Sequence, residues 1–196
     1  MINQQQINKL LAYFARKIIA KYNPLVIGIT GSVGKTSTRH AIAAALSAKY
    51  NLREPVKNYN NEIGIPLTII GARGIDESNG FVSRKLGWVR VFAKAATVWL
   101  LPQNYPKLLV LEYGIDHPGD MDVYLAIVKP QIAVLTTIGI SHKEFFKSEE
   151  EIAFEKGKMA ASLPVNGTFV FNIDDVHVAE QAKRTKAHLF PYGKTQ

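Results

Sequence analysis

Leu25-Val26-Ile27-Gly28-Ile29-Thr30, running into Gly31-Ser32-Val33-Gly34-Lys35-Thr36-Ser37, is the stretch that decides the fold. Its opening is a β-branched run of the kind that makes a strand buried on both faces. Gly31 and Gly34 let the backbone turn tightly and aim amide N–H groups inward, and helical sequence from Lys35 to Lys49 adds the positive end of a helix dipole. A loop so built suits a polyphosphate: Gly31, Ser32, Val33, Gly34 and Ser37 supply the cradle, Lys35 reaches the β- and γ-phosphates, and the Thr36 hydroxyl ligates Mg²⁺. Ile29 stands where the longer phosphate loop has its first glycine, so this is the short Gly-x-x-Gly-Lys-Thr form, which also occurs by chance as a plain glycine turn. The strand before it and the helix after it favour nucleotide binding.

Upstream, Ile7, Leu10, Leu11, Phe14, Ile18 and Ile19 fall at three-and-four spacing, which predicts an amphipathic helix over Ile2 to Lys21 that Asn23-Pro24 ends. Downstream, strands are expected at Leu52 to Lys57, Leu108 to Glu112, Ile132 to Thr137 and Thr168 to Ile173, with a sixth at Ala187 to Pro191. Helical sequence alternates with them, so the fold class is α/β: a doubly wound, mostly parallel sheet with helices on both faces. The expected organisation is an N-terminal helix or linker over 1–23 and one nucleotide-binding domain over 24–196. Ligands in such sheets sit beyond the carboxyl ends of the strands, where the polar candidates below all fall.

Composition narrows the chemistry. The 196 residues contain no cysteine, which removes disulfides, thiolate metal sites and cysteine nucleophiles. Met1 to Gln6 lack the layout of a signal peptide, and the greasy run Leu86 to Leu101 is broken by Arg90 and Lys94 and is too short for a membrane span, so a cytoplasmic location is expected. Val82 to Leu101 reads as a helix covering the sheet with its Lys and Arg solvated, in preference to a membrane-surface helix. The net charge of +8 favours an anionic ligand, while the scattered basic residues show no nucleic-acid motif.

Glu112 closes an apolar strand, where it can hold Mg²⁺ directly or through water. Asp116-His117-Pro118-Gly119-Asp120 reads first as a turn, with Asp120 a cap. His142 follows the strand ending at Thr137, Lys156 reads by default as a solvated helix lysine, and Asp174 caps the next helix while Asn172 is placed to read a base edge. The amide-rich segment Asn58 to Pro66, with Asn58, Asn60 and Asn61, either makes turns or orients a substrate.

In order along the chain, Thr30 to Thr36, Asn58 to Pro66, Leu111-Glu112-Tyr113-Gly114, Asp116 to Gly119, Ile138 to His142, Glu155-Lys156-Gly157 and Asn172 to Asp175 resemble the central ATP-binding domain of the Mur ligase superfamily, in its UDP-N-acetylmuramoyl-tripeptide:D-alanyl-D-alanine ligase (MurF-type) branch. The resemblance implies that Lys35 and the loop amides bind ATP and that Thr36, Glu112 and His142 help hold Mg²⁺. It implies that Lys156 occupies the position of a carbamylated, metal-binding lysine, which overturns the solvated reading. It further implies that Asn172 approaches adenine and that Asn58, Asn60 and Asn61 approach the muramoyl peptide or the metal. Thr136-Thr137, where the family has Thr-Asn, and Phe146-Lys147-Ser148, where it has Phe-Gly-Ser, are departures.

The function so implied is ATP-dependent amide ligation, joining a UDP-muramoyl-peptide carboxylate to an amino-acid or dipeptide amine through an acyl phosphate. Lys35, His142 and Lys156 are its expected catalytic residues. The alternative is a non-catalytic ATP-binding module, or a fragment that needs a partner domain or chain to supply the C-terminal domain. A GTPase is disfavoured because no Asn-Lys-x-Asp guanine motif is present.

Overall fold

The computed structural model describes residues 3–56, 59–74, 81–139 and 145–194. Helix α1 (Gln4–Tyr22) begins at Asn3, whose side chain and that of Gln6 cap each other's backbone N–H, and ends at Asn23 in the left-handed region. Strand β1 (Leu25–Thr30) leads through the glycine loop to α2 (Lys35–Ser47). Then come β2 (Leu52–Arg53), α3 (Gly64–Ile70), α4 (Phe81–Leu100), β3 (Leu108–Glu112), α5 (Asp120–Leu125) and β4 (Ile132–Leu135). After these, α6 (Glu149–Ala161), β5 (Thr168–Asn172), α7 (Val176–Glu180), a 3₁₀ turn (Gln181–Arg184) and β6 (His188–Tyr192) complete the described chain.

Among the described residues the strands form one six-stranded sheet in the order β2-β3-β1-β4-β5-β6, every recorded pair parallel. Strand side chains alternate between two cores. Val26, Leu109, Leu111, Ala133, Leu135, Phe169 and Phe171 face the larger one, which also takes buried residues of α1, α3, α4, α5 and α6. Ile27, Ile29, Leu108, Val110 and Val134 face the smaller one, under Ile42 and Leu46 of α2. Helices therefore lie on both faces, as the strand–helix alternation predicts.

Strand β1 sits centrally, with β3 on one side and β4 on the other, and Ile29 pairs with Glu112 while Thr30 pairs with Leu135. This register brings the glycine loop, Glu112 and the segment after β4 to one sheet edge. Two expectations need correction. Strand β2 stops at Arg53 instead of Lys57, and Gly64–Ile70, of which only Gly64 to Pro66 fall in the amide-rich segment and none is expected to be helical, is a helix whose seven residues are all buried.

Candidate nucleotide-binding site

Gly31 has φ +146° and Gly34 has φ +85°, conformations that favour glycine. At Gly31 a Cβ would fall 1.9 Å from Thr136 Oγ1, so the loop lies directly against the segment after β4. Hydrogen bonds pin it there. Ser32 N–H donates to the Thr137 carbonyl (2.7 Å), Thr136 Oγ1 donates to the Val33 carbonyl (2.6 Å), and Ser32 Oγ donates to the Gly139 carbonyl (2.9 Å). Gly34 is the N-cap of α2 and offers no side-chain cap, so the first-turn amides of α2 remain available to an anion.

Lys35 Nζ donates to the carbonyls of Gly31 (2.8 Å) and Ser32 (3.3 Å), folded back over the loop it follows. Lys156, on α6, reaches the same Gly31 carbonyl at 3.0 Å. Two ammonium groups far apart in sequence thus converge on one carbonyl oxygen. Burial lowers the Lys35 pKa, opposed by the Glu112 and Asp116 carboxylates. Lys156 is only 2% exposed, and burial followed by the Lys35 charge pushes its pKa down to about 7 against Asp116 and Glu155.

This burial has a sign. An unfolded lysine holds its proton up to its ordinary value of 10.5, whereas folded Lys156 releases it near 7. Between those values the unfolded chain binds more protons, so stability rises with pH; below about 7 both states are protonated and the full penalty applies. Thermal unfolding of the ligand-free chain should therefore shift upward between about pH 7 and pH 9, by an amount corresponding to roughly 2 kcal/mol. A Lys156→Met variant should lose most of that rise, and an identical pH profile in the two proteins would contradict it.

Thr36 Oγ1 donates to Glu112 at 3.0 Å from Oε2 and 3.3 Å from Oε1, and Asn60 Nδ2 donates to Oε1 at 3.3 Å. Arg39, one turn beyond Lys35, is 2% exposed; its Nη1 donates to the Pro55 carbonyl (2.6 Å) and its Nε stands 3.5 Å from Glu112 Oε2. That Nε and Glu54 Oε2 are buried without a hydrogen-bond partner among the described residues. Hydroxyl and carboxylate oxygens side by side at a phosphate loop fit a small hard cation such as Mg²⁺. Among the described residues no group of three or more His, Asp or Glu converges on a metal position. Thr36 and Glu112 would thus be the protein's share, with phosphate oxygens supplying others, as is usual for Mg²⁺.

Glu155, given no role of its own in the Glu155-Lys156-Gly157 match, is made a positioning residue by its surroundings. Buried beside Lys156, its Oε1 accepts N–H groups of Gly119 and Met121, both at 3.0 Å, at the start of α5, and Lys158 pairs with its Oε2 at 2.7 Å. It therefore ties the Asp116–Asp120 turn to the helix carrying Lys156. The expected cap, Asp120, turns back instead and accepts the N–H groups of Asp116 and His117. Likewise Asp175, not Asp174, caps α7, accepting from His177 and Val178, and its Oδ2 accepts the Ile138 N–H at 2.7 Å. Asp174 instead accepts the Lys194 N–H.

The remaining candidates divide. Asn61 caps α3 by accepting the Gly64 N–H at 2.9 Å, so its side chain makes structure, whereas Asn60 faces Glu112. Asn172 ends β5 and accepts the Asp174 N–H at 3.1 Å. The solvated-helix reading of Lys156 is overturned by its burial. Asn58 and His142 lie outside the described residues.

A parallel sheet with a glycine loop between its central strand and a following helix defines an α/β domain of the P-loop nucleotide-binding type. The chain belongs to the Mur ligase family: the model of the Mur ligase middle domain matches residues 29–77 and 93–196. A UDP-N-acetylmuramoyl-tripeptide--D-alanyl-D-alanine ligase of Borreliella burgdorferi is 32% identical over 151 residues, 77% of this chain and 26% of that protein. The protein of the same name from Bacillus subtilis is 29% identical over 165 residues, 84% of this chain and 30% of that protein. The chain thus spans between a quarter and a third of the length of these curated relatives. The structure of MurF ligase from Thermotoga maritima in complex with ADP superposes with a TM-score of 0.75 at 26% identity, covering 100% of this chain and 38% of that one.

Proposed function

We propose that this chain is the ATP-binding domain of an ATP-dependent amide ligase of peptidoglycan precursor synthesis. The observation that carries the proposal is the meeting of Lys35, Thr36, Glu112 and Lys156 around the Gly31–Gly34 loop at one sheet edge. The resemblance along the chain and the names of the curated relatives support the substrate class: a UDP-muramoyl peptide and an amino-acid or dipeptide amine. In the proposed reaction a carboxylate oxygen of the peptide attacks the γ-phosphorus, the bond to the β,γ-bridging oxygen breaks, and ADP leaves. The amine then attacks the acyl phosphate carbon, and the tetrahedral intermediate collapses with loss of phosphate and a proton.

Such chemistry asks for alignment and charge neutralisation more than for a covalent nucleophile. Lys35 is released from its loop carbonyls to the β- and γ-phosphate oxygens, and the loop amides hold the β-phosphate. Mg²⁺, when held by Thr36 and Glu112 with His142 completing the set, supplies further neutralisation of the phosphate charge. Asn60 keeps Glu112 oriented. The lowered pKa of Lys156 leaves a share of neutral amine at pH 7, which can add to CO₂ with loss of a proton and so become a carbamate, an anionic oxygen ligand in place of a cation. Asn172 is assigned to the adenine side, and Asn58 and Asn61 to the segment that approaches the peptide.

A second reading, that the 196 residues by themselves are an ATP-binding module that ligates only with further domains or a partner chain, is favoured by the small share of each relative that the chain spans. Calorimetric titration with ATP·Mg²⁺, followed by incubation with UDP-muramoyl-tripeptide and D-Ala-D-Ala, tests both. The expected outcome is saturable one-to-one ATP binding without ligation product. Detectable ligation would retain the ligase reading and remove the module; absence of ATP binding would remove both.

A further inference from the structure

We propose that α1 and α4 together form a docking surface for the anionic lipid bilayer. Residues 1–28 and 78–92 lie outside the stretches that the family model matches, and they include all of α1 and the first half of α4. In the structure these two helices pack on one another: Phe14 meets Phe92 and Trp99, and Tyr13 stands edge-on to Trp99 with ring centroids 6.1 Å apart.

Helix α4 buries Val91, Ala95 and Val98 toward the core, yet its outward side is apolar as well. Val89 and Leu100 are each 64% exposed, Leu86 and Leu101 are more than half exposed, and Leu10 and Tyr13 of α1 join them. Helix α4 thus carries an apolar stripe toward solvent, with Val89 and Leu100, besides the one it buries, while Arg90 and Lys94 are exposed beside it. No helix among the described residues is long and apolar enough to cross a membrane, so the cover lies along the surface.

Charge selects the occupant. Residues 1–53 contain eight Lys and Arg and no Asp or Glu, and residues 78–111 contain five and again no acid. On these helices Lys9, Arg16, Lys17, Lys21, Arg90 and Lys94 are all exposed, and the Lys17 ammonium lies over the Tyr13 ring. Exposed apolar side chains on two helices that carry cations and no carboxylate of their own, with Tyr and Trp rings between them, match the headgroup–acyl boundary of an anionic membrane. A second copy of the chain would bring cations against cations with no carboxylate to pair them. The phosphate loop follows the carboxyl end of β1 while α1 enters at its amino end, so docking leaves the loop open.

Vesicle flotation of the 196-residue chain tests this, using phosphatidylcholine alone or with about 30 mol% phosphatidylglycerol at low salt. The chain should float only with the anionic vesicles. Arg16→Gln with Arg90→Gln should cut partitioning by about 5-fold per charge removed, and Val89→Glu with Leu100→Glu by at least about 20-fold. Both pairs change exposed residues, so ATP affinity and the melting temperature should stay at the parent values, which separates lost docking from lost fold. No flotation, equal flotation with both vesicle types, or self-association that the same variants abolish would each overturn the proposal.

Discussion

Lys35→Ala is expected to weaken ATP·Mg²⁺ binding by roughly 100-fold or more, read by calorimetry. The change removes a charge-assisted contact to the β- and γ-phosphates in a partly desolvated site, a loss of about 3 kcal/mol. In the ligand-free chain the same ammonium only satisfies the carbonyls of Gly31 and Ser32, which can turn to water. Fold stability should therefore change little, and removing one of two close ammonium groups should raise the lowered pKa of Lys156. Unchanged ATP affinity would contradict a phosphate site at this loop.

Gly31→Ala should be costly for both binding and stability. Its φ of +146° lies where an L side chain is strained, and the added Cβ would sit 1.9 Å from Thr136 Oγ1. Thr136 cannot simply rotate, because that hydroxyl donates to the Val33 carbonyl and so fixes the loop against the segment after β4. A stability loss of about 2–4 kcal/mol is expected in urea titrations, with ATP affinity falling at least about 30-fold. Adding Thr136→Ala should recover part of the stability by relieving the clash, but not the backbone strain. Wild-type behaviour of Gly31→Ala would mean that the loop conformation is not needed.

The sequence exposed those features whose physics is local. The β1–loop–α2 unit was legible because an apolar run, two glycines and a helix start are contiguous, and the alternation of strands and helices carried the parallel sheet. Helix α3 was not legible: all seven of its residues are buried, so no polar face marks a period, and Pro66 in its first turn reads as a breaker although no backbone donor is needed there. Lys156 looked like a solvated lysine because its burial comes from outside α6, whose Ile152, Ala153, Glu155, Lys156, Gly157 and Met159 are all buried. Only the ordered resemblance pointed to it.

Caps were misassigned for a related reason. Asp120 and Asp175 compete with neighbours of the same chemistry, and the winner at α5 is Glu155, which reaches that helix from another part of the chain. Arg39 carried no local signal either; its partners, Pro55 and Glu112, come together only once β2 pairs with β3 beside β1. The packed helix with solvated Lys and Arg expected over Val82 to Leu101 is present in α4, which buries Val91, Ala95 and Val98 and exposes Arg90 and Lys94.

A crystal structure of the chain with a non-hydrolysable ATP analogue and Mg²⁺ tests the central claim most directly. The account predicts triphosphate oxygens on the amides of Gly31 to Thr36, Lys35 swung from its loop carbonyls onto the phosphates, and the metal bound by Thr36 with Glu112 beside it. A nucleotide bound elsewhere, or a metal that engages neither Thr36 nor Glu112, would contradict it.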